Sequence, residues 1–280
     1  MFNIAVFFSY ARYAFMHILK RFKYMRKKTI LVTGSTGAIG LSISEYFYQK
    51  GYNVIINGKC KPSQLKSVKK KFKSSRALFF NIDLTRSLNV KKVINATVKK
   101  FKTIDVLVNC AGIQYVENID KYPEKIWRSM MDINLTAPYL FIKETLPFMR
   151  KYKWGRIINI ASTHGLIASK KKSAYTASKH GLVGLSKVVA LETAEENITC
   201  NSICPGFVLT ELIQDQIDVI AKNKKLSNKE AEIELLTEKQ PSLNFVKKEQ
   251  IAKLIYFLCS KEASEITGSA ISIDGAWTAQ

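Results

Sequence analysis

The chain has 280 residues, 47% of them hydrophobic, which is enough for one domain with a sizeable core. Its 44 basic and 22 acidic residues give a net charge of +22, which by itself invites a nucleic-acid partner. The lysines read as spread over most helices with no RNA-binding module, so nucleic acid is not expected, and a basic nucleotide-fold scaffold stays as the alternative.

The segment Met1–Lys28 contains seven Lys or Arg, no acid, and a cluster of Phe and Tyr. It reads as a targeting segment, a membrane-surface helix, a disordered extension, or an overextended start before Met25. Arg12 interrupts the apolar stretch, leaving it too short to span a bilayer, so no stable membrane insertion is expected.

Thr29 to Thr33 is a β-branched strand, followed by the turn Gly34-Ser35-Thr36-Gly37-Ala38-Ile39-Gly40 and an amphipathic helix to about Lys50. Strand, glycine-rich turn and helix N-terminus make a phosphate cradle, because glycine admits tight backbone turns and free N–H groups face an anion. A second strand covers 53–57. Further strands are expected near 77–82, 104–109, 155–161, 198–204 and 269–273, with helices near 62–73, 87–101, 123–151, 173–196 and 247–260. That alternation predicts an α/β fold: one Rossmann-type domain over 29–280, with a doubly wound parallel sheet of about seven strands and helices on both faces. The polar, charged stretch 211–243 breaks the pattern and reads as a helical insertion, either a substrate lid or a solvated helix pair. Five cysteines, an odd number without paired metal spacing, point to a reducing, cytoplasmic compartment and to no metal.

The chemistry concentrates at Ser162, Tyr175 and Lys179. Residues four apart on a helix share a face, so the Tyr175 ring and Lys179 ammonium can approach each other. A nearby cation favours phenolate and is expected to lower the tyrosine pKa, making Tyr175 a general base. Ser162 closes the apolar run Ile157-Ile158-Asn159-Ile160, a buried strand whose end is where open α/β sheets bind ligands. The same Tyr-x-x-x-Lys spacing at Tyr24/Lys28, Tyr46/Lys50 and Tyr139/Lys143 lacks a serine at a strand end thirteen residues upstream.

From about residue 28 onward the chain resembles the short-chain dehydrogenase/reductase family. The resemblance rests on Thr33-Gly34-(x)3-Ala38-Ile39-Gly40, Asn109-Cys110-Ala111-Gly112, Ser162…Tyr175-(x)3-Lys179 and Pro205-Gly206-(x)3-Thr210, in that order. Ala38 replaces a usual glycine and Cys110 a frequent asparagine, both small. The resemblance implies a nicotinamide cofactor held by Gly34, Thr36, Ile39, Gly40, Asn109, Ala111, Gly112, Tyr175, Lys179, Pro205 and Thr210. Asp83 is expected to accept from the adenine amino group or to N-cap the following helix. Asn134 matches the fourth catalytic residue beside Ser162, Tyr175 and Lys179, and anchors a water joined to the lysine.

Several stretches resemble the members of that family that oxidise short 3-hydroxy acids: Ala111-Gly112-Ile113-Gln114, Ile160 to Leu166, Glu238 to Leu243 and Asp274 to Thr278. By that resemblance the substrate carboxylate meets Gln114, His164, Lys172 and Gln216, its reacting carbon meets Ser162 and Tyr175, and Trp277 closes the apolar side. Taken alone, His164 reads as a strand-to-loop cap and Lys172 as part of a solvated loop. The implied reaction is reversible oxidation of (R)-3-hydroxybutyrate to acetoacetate. NAD is the expected cofactor, although Asn57-Gly58-Lys59 offers no carboxylate after the second strand and Lys59 keeps NADP open. The alternative is a reductase of another 3-oxo acyl substrate using NADP. The family also implies a homotetramer.

Overall fold

The computed structural model describes residues 26–279. The expectations for the segment preceding Arg26 therefore lie outside the described part. Seven parallel strands form one sheet in the order β3-β2-β1-β4-β5-β6-β7. They are β1 (Thr29–Val32), β2 (Asn53–Gly58), β3 (Ala77–Asn81), β4 (Val106–Asn109), β5 (Gly155–Ile160), β6 (Ile198–Pro205) and β7 (Ala270–Ile273). The central strands β1, β2, β4, β5 and β6 are buried along their whole length, and β1 and β4 accordingly read as near-continuous apolar runs rather than alternating ones.

The helices divide between the two faces. On one face α1 (Ala38–Gln49), α2 (Pro62–Lys70) and α9 (Lys248–Leu258) contribute Ile43, Phe47, Val68, Ile251 and Ile255 to a core cluster. On the other, α3 (Ser87–Phe101), α5 (Ala137–Lys151) and α6 (Ser173–Glu192) contribute Val90, Val93, Phe141 and Val189. The chain winds outward from β1 to β3, then returns so that β4 pairs with the other side of β1. That reversal leaves a crevice above the C-terminal ends of β1 and β4, the place where open sheets of this kind hold ligands.

The helix expected over 123–151 is not continuous. It is split into α4 (Glu124–Met131), a five-residue π turn (Asp132–Thr136) and α5. The wider turn carries Asn134, whose side chain leaves the helix to bind the backbone of Ile113.

The insertion forms α7 (Glu211–Lys224) and α8 (Asn228–Lys239), the latter opened by a reciprocal capping box between Ser227 and Glu230. The two helices pack through Ile213, Ile217, Ala231, Leu235 and Leu236 onto Phe207 and Trp277, so they are not a freely solvated pair. Fully buried Gln240 fastens their exit, accepting from the Phe207 N–H at 2.8 Å and donating to the Asn244 carbonyl.

At the opposite end, the packed structure reaches back to Arg26, earlier than the boundary expected at residue 29. Arg26 donates to both oxygens of buried Asp105 at 2.9 and 2.6 Å, and Asp105 also accepts from the Thr29 N–H at 2.7 Å. The Lys28 ammonium lies 3.3 Å above the Trp154 ring centre. Asp105→Ala strands the Thr29 N–H and the Arg26 guanidinium together, so it is expected to cost about 3 kcal/mol and lower the melting temperature, as read by thermal denaturation.

All five cysteines are free. Among the described residues no cluster of His, Cys, Asp and Glu suits a metal ion, and no helix is long and apolar enough to cross a membrane.

Candidate active site

Two cavities meet at Gly112 and Ile113 over the crevice. The inner one, about 180 Å³, is lined by Ser162, His164, Lys172, Tyr175, Lys179 and Trp277 among others. The outer one, about 880 Å³, is lined by Gly34, Thr36, Lys59, Asp83, Ala111 and Gly112 among others.

The outer cavity is shaped by backbone. Gly34 has φ +65°, and a Cβ there would lie 2.7 Å from Ala111 Cα, so the first turn passes directly beneath the loop after β4. A Cβ at Gly40 would lie 2.6 Å from the Gly34 carbonyl, so α1 packs against its own entry turn. The first turn of α1 contains no acid and Gly37 makes no side-chain cap, leaving its N–H groups and positive dipole end for an anion. Gly34→Ala is expected to abolish tight dinucleotide binding, measured by quenching of intrinsic fluorescence, because the left-handed backbone and the collision with Ala111 both oppose it.

Two hydroxyl residues without an expected role position this region. Thr33 Oγ1 accepts from the Cys110 and Ala111 N–H groups at 3.0 and 3.1 Å. Ser35 Oγ donates to the Val32 carbonyl at 2.8 Å and accepts from the Asn57 N–H at 2.7 Å, tying the ends of β1 and β2. Small hydroxyl residues flanking a strand-end glycine were the available signal.

Other expectations need correction. Asn109 lines neither cavity; its side chain is buried under the sheet end and donates to Asn159 Oδ1 at 2.8 Å. Asp83 does line the outer cavity but does not cap the helix after it. Its Oδ1 accepts from the Thr85 N–H and hydroxyl at 3.0 and 2.7 Å, and those bonds, with Lys59 beyond them, hold its pKa below the usual carboxylate value.

At the inner cavity, the turn that follows β5 carries Ser162 and His164, and α6 carries both Tyr175 and Lys179. Lys179 Nζ lies 5.6 Å from the Tyr175 ring centre and donates to the Ile160 carbonyl at 2.7 Å. The two side chains share one space, as the spacing predicts. The electrostatic expectation, however, is reversed. Burial raises the Tyr175 pKa, with the Ser162 hydroxyl pulling the other way, and burial drops Lys179 to about 8. Loss of water penalises charge on either group more than the pair recovers it.

Asn134 Oδ1 accepts from the Ile113 N–H at 2.9 Å, while its Nδ2 donates to the Ile113 carbonyl at 3.0 Å and to Ser178 Oγ at 3.2 Å. A Cβ on Gly112 would lie 3.4 Å from Asn134 Oδ1 and 3.6 Å from Lys179 Nζ, so Gly112 packs directly over both side chains.

The far wall carries the acid-binding candidates. His164 is 3% exposed and stacks edge-on to Tyr175 and to Trp277, with ring centres 5.7 Å apart in both cases. Its Nδ1 lies 3.4 Å from the hydroxyls of Ser162 and Thr163, but its buried Nε2 has no partner. Burial, with Lys172 and Lys239 nearby, lowers its pKa to about 3, so the ring is neutral at physiological pH. Burial also lowers the Lys172 pKa, opposed by Glu238. Gln114, Pro205 and Thr210 line the same cavity, as does Ile39, which was expected beside the cofactor. Gln216 does not line it: Ile213 and Ile217 turn inward from α7, and half-buried Gln216 lies on the flank of that helix.

The family model described as short chain dehydrogenase matches residues 28–219. The chain is a member of that family. This short-chain dehydrogenase is 41% identical over 256 residues to the D-beta-hydroxybutyrate dehydrogenase of Rhizobium meliloti (strain 1021), covering 90% of this chain and 99% of that one. Among solved structures it resembles ElxO with NADP bound, with a TM-score of 0.80, 31% identity, and 91% and 100% of the two chains covered. It also resembles the L-sorbose reductase of Gluconobacter frateurii complexed with NADPH and L-sorbose, with a TM-score of 0.84, 27% identity, and 91% and 98% covered. The fold and the oxidoreductase family expected from the motifs thus hold.

Proposed function

We propose that this short-chain dehydrogenase interconverts (R)-3-hydroxybutyrate and acetoacetate, with NAD as cofactor. The observation that carries the reading is the unpartnered Nε2 of buried His164, lining the same small cavity as Ser162, Tyr175 and Lys172. A buried polar atom without a partner is costly, and a ligand oxygen would satisfy it. With Nδ1 accepting from a neighbouring hydroxyl, Nε2 carries the ring hydrogen and donates to a carboxylate oxygen. Lys172 supplies the charge, Gln114 a further donor, and Trp277 with Phe207 the apolar wall. The likeness to the Rhizobium meliloti enzyme supports the same substrate.

The glycine turn, the uncapped start of α1, Thr36, Ala111 and Gly112 suit a dinucleotide pyrophosphate and ribose, and the acceptor capacity Asp83 keeps beyond Thr85 suits the adenine amino group. The dinucleotide, when bound, supplies a two-electron acceptor at its nicotinamide ring. Tyr175 takes the hydroxyl proton during oxidation and returns it during reduction, and Ser162 donates to the substrate oxygen as carbonyl character develops. Lys179 lends positive charge beside the phenol, and Asn134 holds the Ile113 backbone that borders both cavities. The Lys59 ammonium, 81% exposed, lies 3.7 Å from the Asp83 carboxylate, which partly neutralises it and leaves it a weaker partner for a 2′-phosphate. Exposed Val188 and Leu191 on α6 offer an apolar face for self-association, in keeping with a homotetramer, and the cytoplasm is the expected site of action.

The test is a panel of short 3-hydroxy acids and neutral alcohols with either cofactor, following reduced nicotinamide by absorbance. The four-carbon acid with NAD is expected to give the highest kcat/KM. Preference for a neutral alcohol would reject the carboxylate clamp, and preference for NADP would overturn the cofactor assignment.

A further inference from the structure

The expectation that the lysines are spread over the helices fails when charge is counted by region. Residues 59–102 hold fourteen Lys or Arg and one acid, Asp83, and the segment Met1–Lys28 holds seven and none. The rest of the chain has 23 basic and 21 acidic residues and is close to neutral. Almost the entire excess charge therefore sits in two stretches.

The longer of them has a defined place in the fold. It runs from the end of β2 through α2, β3 and α3, so it comprises the edge strand of the sheet and the helices covering that strand on both faces. Of its fourteen basic residues only Arg76 is half-buried, held over the Tyr48 ring at 3.9 Å; the other thirteen are exposed. Lys100 joins the two sides of the edge, donating from α3 to the Ser74 and Ala77 carbonyls at 2.6 and 3.2 Å. Among the described residues, the ion pairs of this stretch are Lys59 with Asp83 and Lys71 with Glu45, leaving most of the charge uncompensated.

Protection of an exposed sheet edge does not account for this. Edge strands are blunted by charges on the strand itself, whereas Ala77–Asn81 carries none and the lysines project from the flanking helices. So much like charge in one place costs self-repulsion and needs an anionic partner to offset it.

We propose that this basic edge docks on an anionic lipid surface. Two observations favour lipid over RNA. The rings in the stretch, Phe72, Phe79, Phe80 and Phe101, belong to or pack against the core clusters, so they offer no platform for stacked bases. Leu88, in the first turn of α3, is 79% exposed among the lysines, in the manner of a residue that enters a headgroup layer.

The test is flotation of the full-length protein with phosphatidylcholine vesicles, with and without phosphatidylglycerol, over a range of salt. Binding is expected only with the anionic lipid and is expected to weaken as salt rises. The variant carrying Lys70→Glu, Lys91→Glu, Lys92→Glu and Lys99→Glu should bind about a hundredfold more weakly while keeping its dehydrogenase turnover and circular dichroism. Equal binding to neutral vesicles, or undiminished binding of the variant, would overturn the proposal. So would absence of vesicle binding alongside retention on poly(U) RNA. None of these outcomes depends on which alcohol the enzyme oxidises.

Discussion

Replacing Tyr175 with Phe is expected to lower kcat about 10²–10⁴-fold while dinucleotide affinity stays within a few-fold of the parent. The phenol oxygen is the proton-carrying atom that the site places next to Ser162, and phenylalanine keeps the ring and its edge contact with His164. Stopped turnover with intact cofactor quenching is the signature; substantial residual kcat would remove Tyr175 from the chemistry. The wild-type pH profile gives a second reading. Burial raises the Tyr175 pKa, so the base form is scarce at neutral pH, and alcohol oxidation should accelerate as pH rises. Ketone reduction needs the protonated phenol and should persist through neutral pH. His164, with its pKa lowered to about 3, should add no break as the assay passes from mildly acidic to neutral pH.

The second large effect is at Lys172. Changing it to Met keeps the apolar stem and removes the charge, and the KM for a short 3-hydroxy acid is expected to rise about 10–100-fold. The kcat should change little, and KM values for neutral alcohols should not move. Because burial depresses the folded-state pKa of Lys172, keeping its charge in the fold costs stability relative to the unfolded chain. Its removal should therefore leave the melting temperature unchanged or higher. A uniform loss for acids and neutral alcohols alike would assign Lys172 to the scaffold instead.

The fold was largely legible because its signals are local. Continuous β-branched runs, a glycine turn after the first strand and amphipathic helices between strands specify the alternation, and alternation leaves few topologies. The convergence of Ser162, Tyr175 and Lys179 was legible for the same reason, since strand end and helix spacing bring them into one cavity. What escaped depends on solvent and on non-local partners. Spacing places Lys179 beside Tyr175 but says nothing of how little water remains, and that absence sets the direction of both pKa shifts. Asp83 turns to Thr85 and Asn109 to Asn159 because those partners are near in space, which the motifs do not encode. The π turn at Asp132–Thr136 has no compositional mark, because the bond that rewards it runs to Ile113, far back in the chain.

That bond has a consequence for tolerance to change. The Asn134 amide takes hydrogen from and gives hydrogen to the same residue, so it behaves like one more rung of a β ladder built from a side chain. An aspartate offers only acceptors and strands the Ile113 carbonyl, and a leucine offers nothing and strands both the N–H and the carbonyl. The segment bordering both cavities is thus tethered through a rung that few other residue types can replace, even though Asn134 itself lines neither cavity.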